Sequence, residues 1–293
     1  MIVKKTICLL CVAALVFCAA GCGASTGNQA DTDAVMAAVE KFSECTSFTV
    51  LQVTELQEQV SAEGMEGSYD MHNEMLLSLI TEPVPQMLTE TSVRMSFEGD
   101  VVEQYTVSYI VPEDGGYAEY FSDGSEWYKA TTDQADALTG LDAAVVVSTF
   151  YIDRISFGKA GEESIDGVKA IRYEGRLSGE ELVGMLEANA YLSGIETMSE
   201  NQQTQIRNNL VKDLDGVVVS VWVAEDSGYP LRFEVNMTDV LKEMNKSIAK
   251  SLGNKSTDEQ WDISNCVITM SVKDLNSVQE IILPADAASA KLQ

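Results

Sequence analysis

Apolar and polar positions along the chain first follow a helical period and then a strand period. From Thr32, Val35, Ala38, Val39 and Phe42 recur at helical spacing, with Asp31, Thr32 or Asp33 as the capping residue, and Cys45 lies one turn beyond Phe42. The period then becomes two. Val93, Met95 and Phe97 alternate with polar residues, Glu98-Gly99-Asp100 turns the chain, and Tyr105, Val107, Tyr109 and Val111 alternate again. Pro112 to Gly116 predicts a second turn, Tyr117 to Phe121 a third strand, and Asp123-Gly124 a turn into Glu126-Trp127-Tyr128-Lys129. The segment Phe48 to Ile80 supplies earlier strands with less clean alternation. Two capping boxes, Ser178-Gly179-Glu180-Glu181 and Ser199-Glu200-Asn201-Gln202, open helices carrying Leu182, Met185, Leu186 and Ile206, Leu210, Leu214. Strands return at Val217 to Ala224 and Leu231 to Thr238 around Asp226-Ser227-Gly228. A helix with Leu241, Met244, Ile248 and Leu252 follows, then a strand with Cys266, Ile268, Met270 and Val272 on one face.

No strand–helix–strand alternation is present, so a doubly wound parallel sheet is not expected. The pattern predicts an α+β fold: one large curved antiparallel β-sheet, a half-barrel, packed on several amphipathic helices.

The first residues form a separate unit. Lys4 and Lys5 precede the apolar run Thr6 to Ala20, which ends in small residues, the layout of a secretory signal peptide. As a helix that run spans about 22 Å at roughly 1.5 Å per residue, short of the roughly 30 Å hydrocarbon core. Ala19-Ala20-Gly21-Cys22 resembles the lipobox of bacterial lipoproteins, with Ala19 where that family usually has Leu. The resemblance implies cleavage between Gly21 and Cys22 and a diacylglyceryl group on the Cys22 thiol; Gly23 to Thr32 would be a flexible tether. Two acyl chains, at about 0.8 kcal/mol per buried methylene, hold a protein durably on a bilayer. The boundaries expected are 1–21 signal peptide, 22–31 tether and 32–293 a single domain.

Charge narrows the partners. With 46 acidic residues against 19 basic ones and a net charge of −27, the chain repels phosphate backbones, so no nucleic acid is expected. Anionic headgroups are repelled too, so the body would stand off the membrane on its tether. A hydrophobic content of 45% supports a real core beneath that charge. Cys45 and Cys266 are the cysteines left once the signal and Cys22 are set aside; they either bridge the two ends of the domain or remain buried thiols.

The layout resembles LolA, LolB, LprG and LppX, and more closely a family of uncharacterised lipoproteins from Gram-positive bacteria. The residues that carry the impression are Glu126 to Lys129 and the run Val221 to Arg232, with its acidic turn and Tyr229-Pro230-Leu231 return. The resemblance implies a sheet wrapped around helices and, in the carriers of that group, an apolar cavity that binds lipids or acyl chains.

Catalytic and metal motifs do not survive inspection. Gly23-Ala24-Ser25-Thr26-Gly27 matches the serine-hydrolase pattern but lacks the preceding strand its elbow needs. Cys8-Leu9-Leu10-Cys11 lies in the signal. His72 is the single histidine, and around Asp213-Leu214-Asp215-Gly216 Val211 and Trp222 occupy positions where a calcium loop needs acidic ligands. No catalytic residue, cofactor or metal is expected. Methionines and aromatics on apolar faces suit an adaptable apolar site: Met95, Phe97, Tyr109, Phe121, Trp127, Met185, Phe233, Met237, Met244 and Met270 are the candidate lining residues. The expected function is a non-enzymatic, membrane-anchored extracytoplasmic lipoprotein that binds or carries an apolar or amphipathic ligand such as a lipid. The alternative is an envelope-sensing module with a protein partner and a filled core.

Overall fold

The computed structural model describes residues 27–62, 65–113, 115–132, 150–188, 198–251 and 260–292. The expected signal peptide, Gly21, Cys22, most of the tether and Leu252 lie outside the described residues.

Helix α1 (Gln29–Ser43) begins at Asn28, whose side chain accepts a hydrogen bond from the Asp31 N–H at 3.0 Å. The cap is therefore Asn28 rather than Asp31, Thr32 or Asp33. Asp31 and Thr32 are used elsewhere: Asp31 Oδ2 accepts from the Lys159 N–H (2.8 Å) and Thr32 Oγ1 from the Phe157 N–H (2.9 Å). Val35, Ala38 and Phe42 form the buried stripe expected from their spacing.

Six strands follow in hairpin succession: β1 (Ser47–Ala62), β2 (Met65–Ile80), β3 (Gln86–Phe97), β4 (Asp100–Glu113), β5 (Gly116–Ser122) and β6 (Trp127–Thr132). The turns at Glu98-Gly99 and Asp123-Gly124 fall where the sequence places them. A further hairpin, β7 (Phe157–Ile165) and β8 (Val168–Leu177), turns at Asp166-Gly167, where both residues have positive φ, 50° and 85°. Helices α2 (Gly179–Ala188) and α3 (Glu200–Asp213) come next. The Ser199 capping box is formed, with the Ser199 N–H donating to Gln202 Oε1 at 3.1 Å. The hairpin β9 (Val217–Ala224) and β10 (Pro230–Asn236) leads into α4 (Thr238–Ser251), the long β11 (Gln260–Lys273) and a two-residue β12 (Lys291–Leu292).

All twelve strands belong to one sheet, ordered β12-β6-β5-β4-β3-β2-β1-β11-β10-β9-β8-β7. Every pairing is antiparallel except the short β12–β6 contact. The pairing of β1 with β11 joins the early meander to the later strands, and the sheet does not close, ending at β7 and β12.

Alternation along each strand assigns the faces. The inner face carries Phe48 and Val50 of β1, Leu77 and Leu79 of β2, Val219 and Val221 of β9, Phe233 of β10 and Met270 of β11. They join α1, α2 and α3 residues, including Phe42, Leu182, Leu186, Ile206 and Leu210, in one buried cluster. On α4 the inward positions are Val240 and Ser247, while Leu241, Met244 and Ile248, the expected stripe, are half-buried against the same cluster. The outer face is mostly polar. The C-terminal segment covers part of it, with Leu283, Ala287 and Ala290 packing on Tyr109, Ala118, Tyr120 and Trp127.

Candidate functional site

The candidate lining residues fall into three groups. Met185, Phe233, Met237 and Met270 are inside the main cluster at 0–3% exposure, with Met244 half-buried beside them. Met95, Phe97 and Phe121 lie on the same inner face but outside that cluster, and Phe97 is 38% exposed. Tyr109 and Trp127 occupy the outer face, with ring centroids 6.0 Å apart under the C-terminal segment. Register explains the separation: Tyr109 pairs with Tyr120 and Phe121 with Ser108, so Tyr109 and Phe121 point to opposite sides. Tyr109 and Trp127 are therefore not part of a common lining with the other eight.

Across the β1–β4 half of the sheet the inner face continues past the packed cluster as rows of opposed residues. Cys266, Leu56, Met71, Met95 and Val102 stand side by side on five consecutive strands, an unbroken apolar row from β11 to β4. Val102 at its end is 51% exposed. One row away, Ile268, Thr54, Asn73, Val93 and Gln104 are opposed, and Asn73 Oδ1 is buried with no hydrogen-bond partner. On the other side, Glu58, Tyr69, Phe97 and Asp100 form the last row. Glu58 is 8% exposed, and burial raises its carboxyl above the usual carboxylate range. An apolar surface with a few inward polar groups shares the composition, though not the concavity, of common small-molecule sites.

Leu56, Met71, Asn73 and Glu58 are residues of these rows that the less clean alternation of Phe48 to Ile80 does not single out. Their signal is the period-two run Tyr69, Met71, Asn73, Met75, Leu77, Leu79, which sets all six on one face of β2. Polar residues at the inward positions Gln52, Thr54 and Glu58 blur the same alternation in β1.

His72 lies on the outer face between two carboxylates, Glu55 Oε1 at 2.6 Å from Nδ1 and Glu74 Oε1 at 3.1 Å from Nε2. The hydrogen bond to Glu55, then that to Glu74, raises its pKa. Asp70 and Arg94 help line a hollow of about 230 Å³ beside it. A polar hollow of about 510 Å³ lies on the same outer face, lined by Glu174, Arg176, Ser220 and Glu234 with the start of α4. Among the described residues no group of three or more His, Cys, Asp or Glu is placed to hold a metal ion. At Asp213-Leu214-Asp215-Gly216 the helix ends and Gly216 turns at φ 98°, while Arg176 donates to the Asp215 and Gly216 carbonyls.

Cys45 and Cys266 are free, buried thiols, which corrects the bridge that their isolation allowed. Cys266 pairs with Leu56, whereas Cys45 precedes Thr49, and Thr49 to Leu56 alone covers about 23 Å at about 3.3 Å per residue. A disulfide needs Cα atoms within about 7 Å. Burial pushes the Cys266 thiol up to about 11.

No protein-family model and no curated protein matches the chain. Solved structures similar to it include LprF from Mycobacterium bovis, at 11% identity and a TM-score of 0.42, covering 88% of this chain and 99% of that one. Lipoprotein LppX from Mycobacterium tuberculosis follows at 13% identity and 0.39, covering 86% and 98%. A putative outer membrane lipoprotein-sorting protein domain from Vibrio parahaemolyticus is similar at 9% and 0.22, covering 86% and 94%. Among the described residues no helix is long and apolar enough to cross a membrane.

Proposed function

We propose that this chain is an extracytoplasmic lipoprotein, cleaved after Gly21 and anchored through lipid on Cys22, whose domain from residue 32 to 293 binds an apolar or amphipathic ligand without catalysing a reaction. In this reading the sheet curves as a half-barrel toward its helices, and the ligand lies on the inner face of β1–β4. The apolar row Leu56–Met71–Met95–Val102, continuing the core-facing side beyond its packed cluster, is the observation that supports it. Two of the four positions are methionines, whose unbranched side chains conform to varied apolar shapes.

Binding of the neutral fluorophore N-phenyl-1-naphthylamine tests the placement. Met95→Glu puts a charge into the row and should weaken saturable binding by about tenfold or more; unchanged affinity would remove the row from the site. The anchor has its own test. Cys22→Ser should leave an unprocessed or mislocalised precursor, and efficient release of a mature-sized protein would count against Cys22 as the acylation site.

A second reading, a protein-interaction or envelope-sensing module, draws on the complete burial of Phe233 and Met237, which fills the β9–β11 half of the inner face. It predicts no saturable apolar binding at all.

A further inference from the structure

The apolar row runs beside a second row that begins at a mostly buried acid. Two residues past Leu56, Glu58 is 8% exposed between the exposed Gln57 and Gln59. Its carboxylate has neither hydrogen bond nor ion pair among the described residues. Lys242 of α4, which reaches the same end of β11, is engaged with Asp262 at 3.7 Å, and Arg94 lies on the outer face with Glu103 at 3.6 Å. Burial of most of this side chain disfavours its ionised form, and a cation placed beside it would offset that cost.

The groups around Glu58 define what that partner would be. Tyr69 stands opposite Glu58, Phe97 opposite Tyr69, and Asp100 opposite Phe97. Beyond Tyr69 comes Gly67, where a Cβ would approach Glu98 Cγ at 3.0 Å, Glu98 Oε1 at 3.1 Å and Phe97 Cε2 at 3.2 Å. Glycine here lets the Phe97 ring and the Glu98 carboxylate lean over β2. The end of the face thus combines two aromatic rings with three carboxylates. Aromatic faces attract ammonium groups, and a carboxylate completes such a site. Three carboxylates on a chain of net charge −27 repel an anionic head.

We propose that this end of the inner face selects the head of a cationic amphiphile, a primary or quaternary ammonium held between Glu58, Tyr69 and Phe97, with its alkyl chain along Met95, Met71 and Leu56. The proposal rests on the apolar-ligand reading and adds the class of head to it.

Calorimetric titration of residues 23–293, which contain every described element, with three ten-carbon probes below their micelle concentrations tests both layers. The probes are decyltrimethylammonium, decyl maltoside and decyl sulfate. The ammonium should bind about tenfold tighter than the maltoside, and the sulfate more weakly than either. Glu58→Gln should bring the ammonium-to-maltoside affinity ratio close to one. Equal binding of all three heads, or an ammonium advantage that survives Glu58→Gln, overturns head selection and leaves the apolar site standing. Failure of all three to bind overturns the apolar-ligand reading itself. Should Glu58→Gln not fold, Phe97→Leu keeps the apolar bulk and removes a ring; the ammonium advantage must then shrink, and an unchanged ratio overturns the proposal.

Discussion

His72 is held between Glu55 and Glu74 at 2.6 and 3.1 Å, so both ring nitrogens face carboxylates on neighbouring positions of the sheet. Both partners favour the imidazolium, and the pKa is raised above the ordinary 6.5, first by the hydrogen bond to Glu55. The sign of the linkage follows. The stabilisation from this contact is complete below about 6.5, where His72 is protonated even in the unfolded chain, and fades as pH rises through the higher folded value. At 39% side-chain exposure the contact is screened, so its share of stability is small. Because His72 is the single histidine, one NMR titration curve reports it alone. Its midpoint should lie above 6.5 and fall in Glu55→Gln; a midpoint at or below 6.5 would show that the two ion pairs do not form in solution.

Among the elements, α1 seals the inner face at the β7–β10 end. Its first turn supplies side chains that satisfy the Phe157 and Lys159 N–H groups of the edge strand β7, and its buried stripe closes on the main cluster. Those two contacts leave β7 a shorter open edge, which is how edge strands are commonly protected from pairing with other chains. Phe42 is wholly buried and meets Phe48 edge-on at 4.9 Å. Phe42→Ala should therefore lower unfolding stability by about 3–5 kcal/mol, read by chemical denaturation; a loss below about 1 kcal/mol would mean that α1 is not docked on the sheet.

The same elements show what periodicity can reveal. The meander β3–β6 and the β11 face are legible because apolar and polar residues alternate, although β4 turns its apolar set Tyr105, Val107, Tyr109 and Val111 outward, and β9–β10 is legible because a run of β-branched residues meets an acidic turn. β1 and β2 read less clearly because their inward positions include Gln52, Thr54, Glu58 and Asn73, while outward positions include Leu51, Val53 and Leu76. The hairpin β7–β8 is marked in the sequence only by Asp166-Gly167, since Lys159, Glu162, Glu163 and Ser164 give its outer strand little apolar character. The lining residues divided for a similar reason. Apolar character locates a residue on a strand, but the side it faces depends on register, and Tyr109 and Trp127 turned to the outer face.

At the scale of the molecule, the sheet order matters most. Placing β11 beside β1 brings the late strands, with their helices, against one half of the early meander and leaves the inner face of β2–β4 with exposed apolar residues such as Phe97 and Val102. The acidic exterior would keep such a body soluble and off anionic bilayers while a lipid on Cys22 held it near them. On the proposed function, export, anchoring and the apolar face would serve one task, holding an amphiphile outside the cytoplasmic membrane.

Native mass spectrometry of residues 23–293, produced in a bacterial periplasm and sprayed without delipidation, tests that task most directly. The account predicts a discrete added mass that leaves on unfolding, is identified as an amphiphile, and is lost in Met95→Glu. A bare protein mass, unchanged after incubation with the host's own lipid extract, would contradict it and leave the interaction module as the better description.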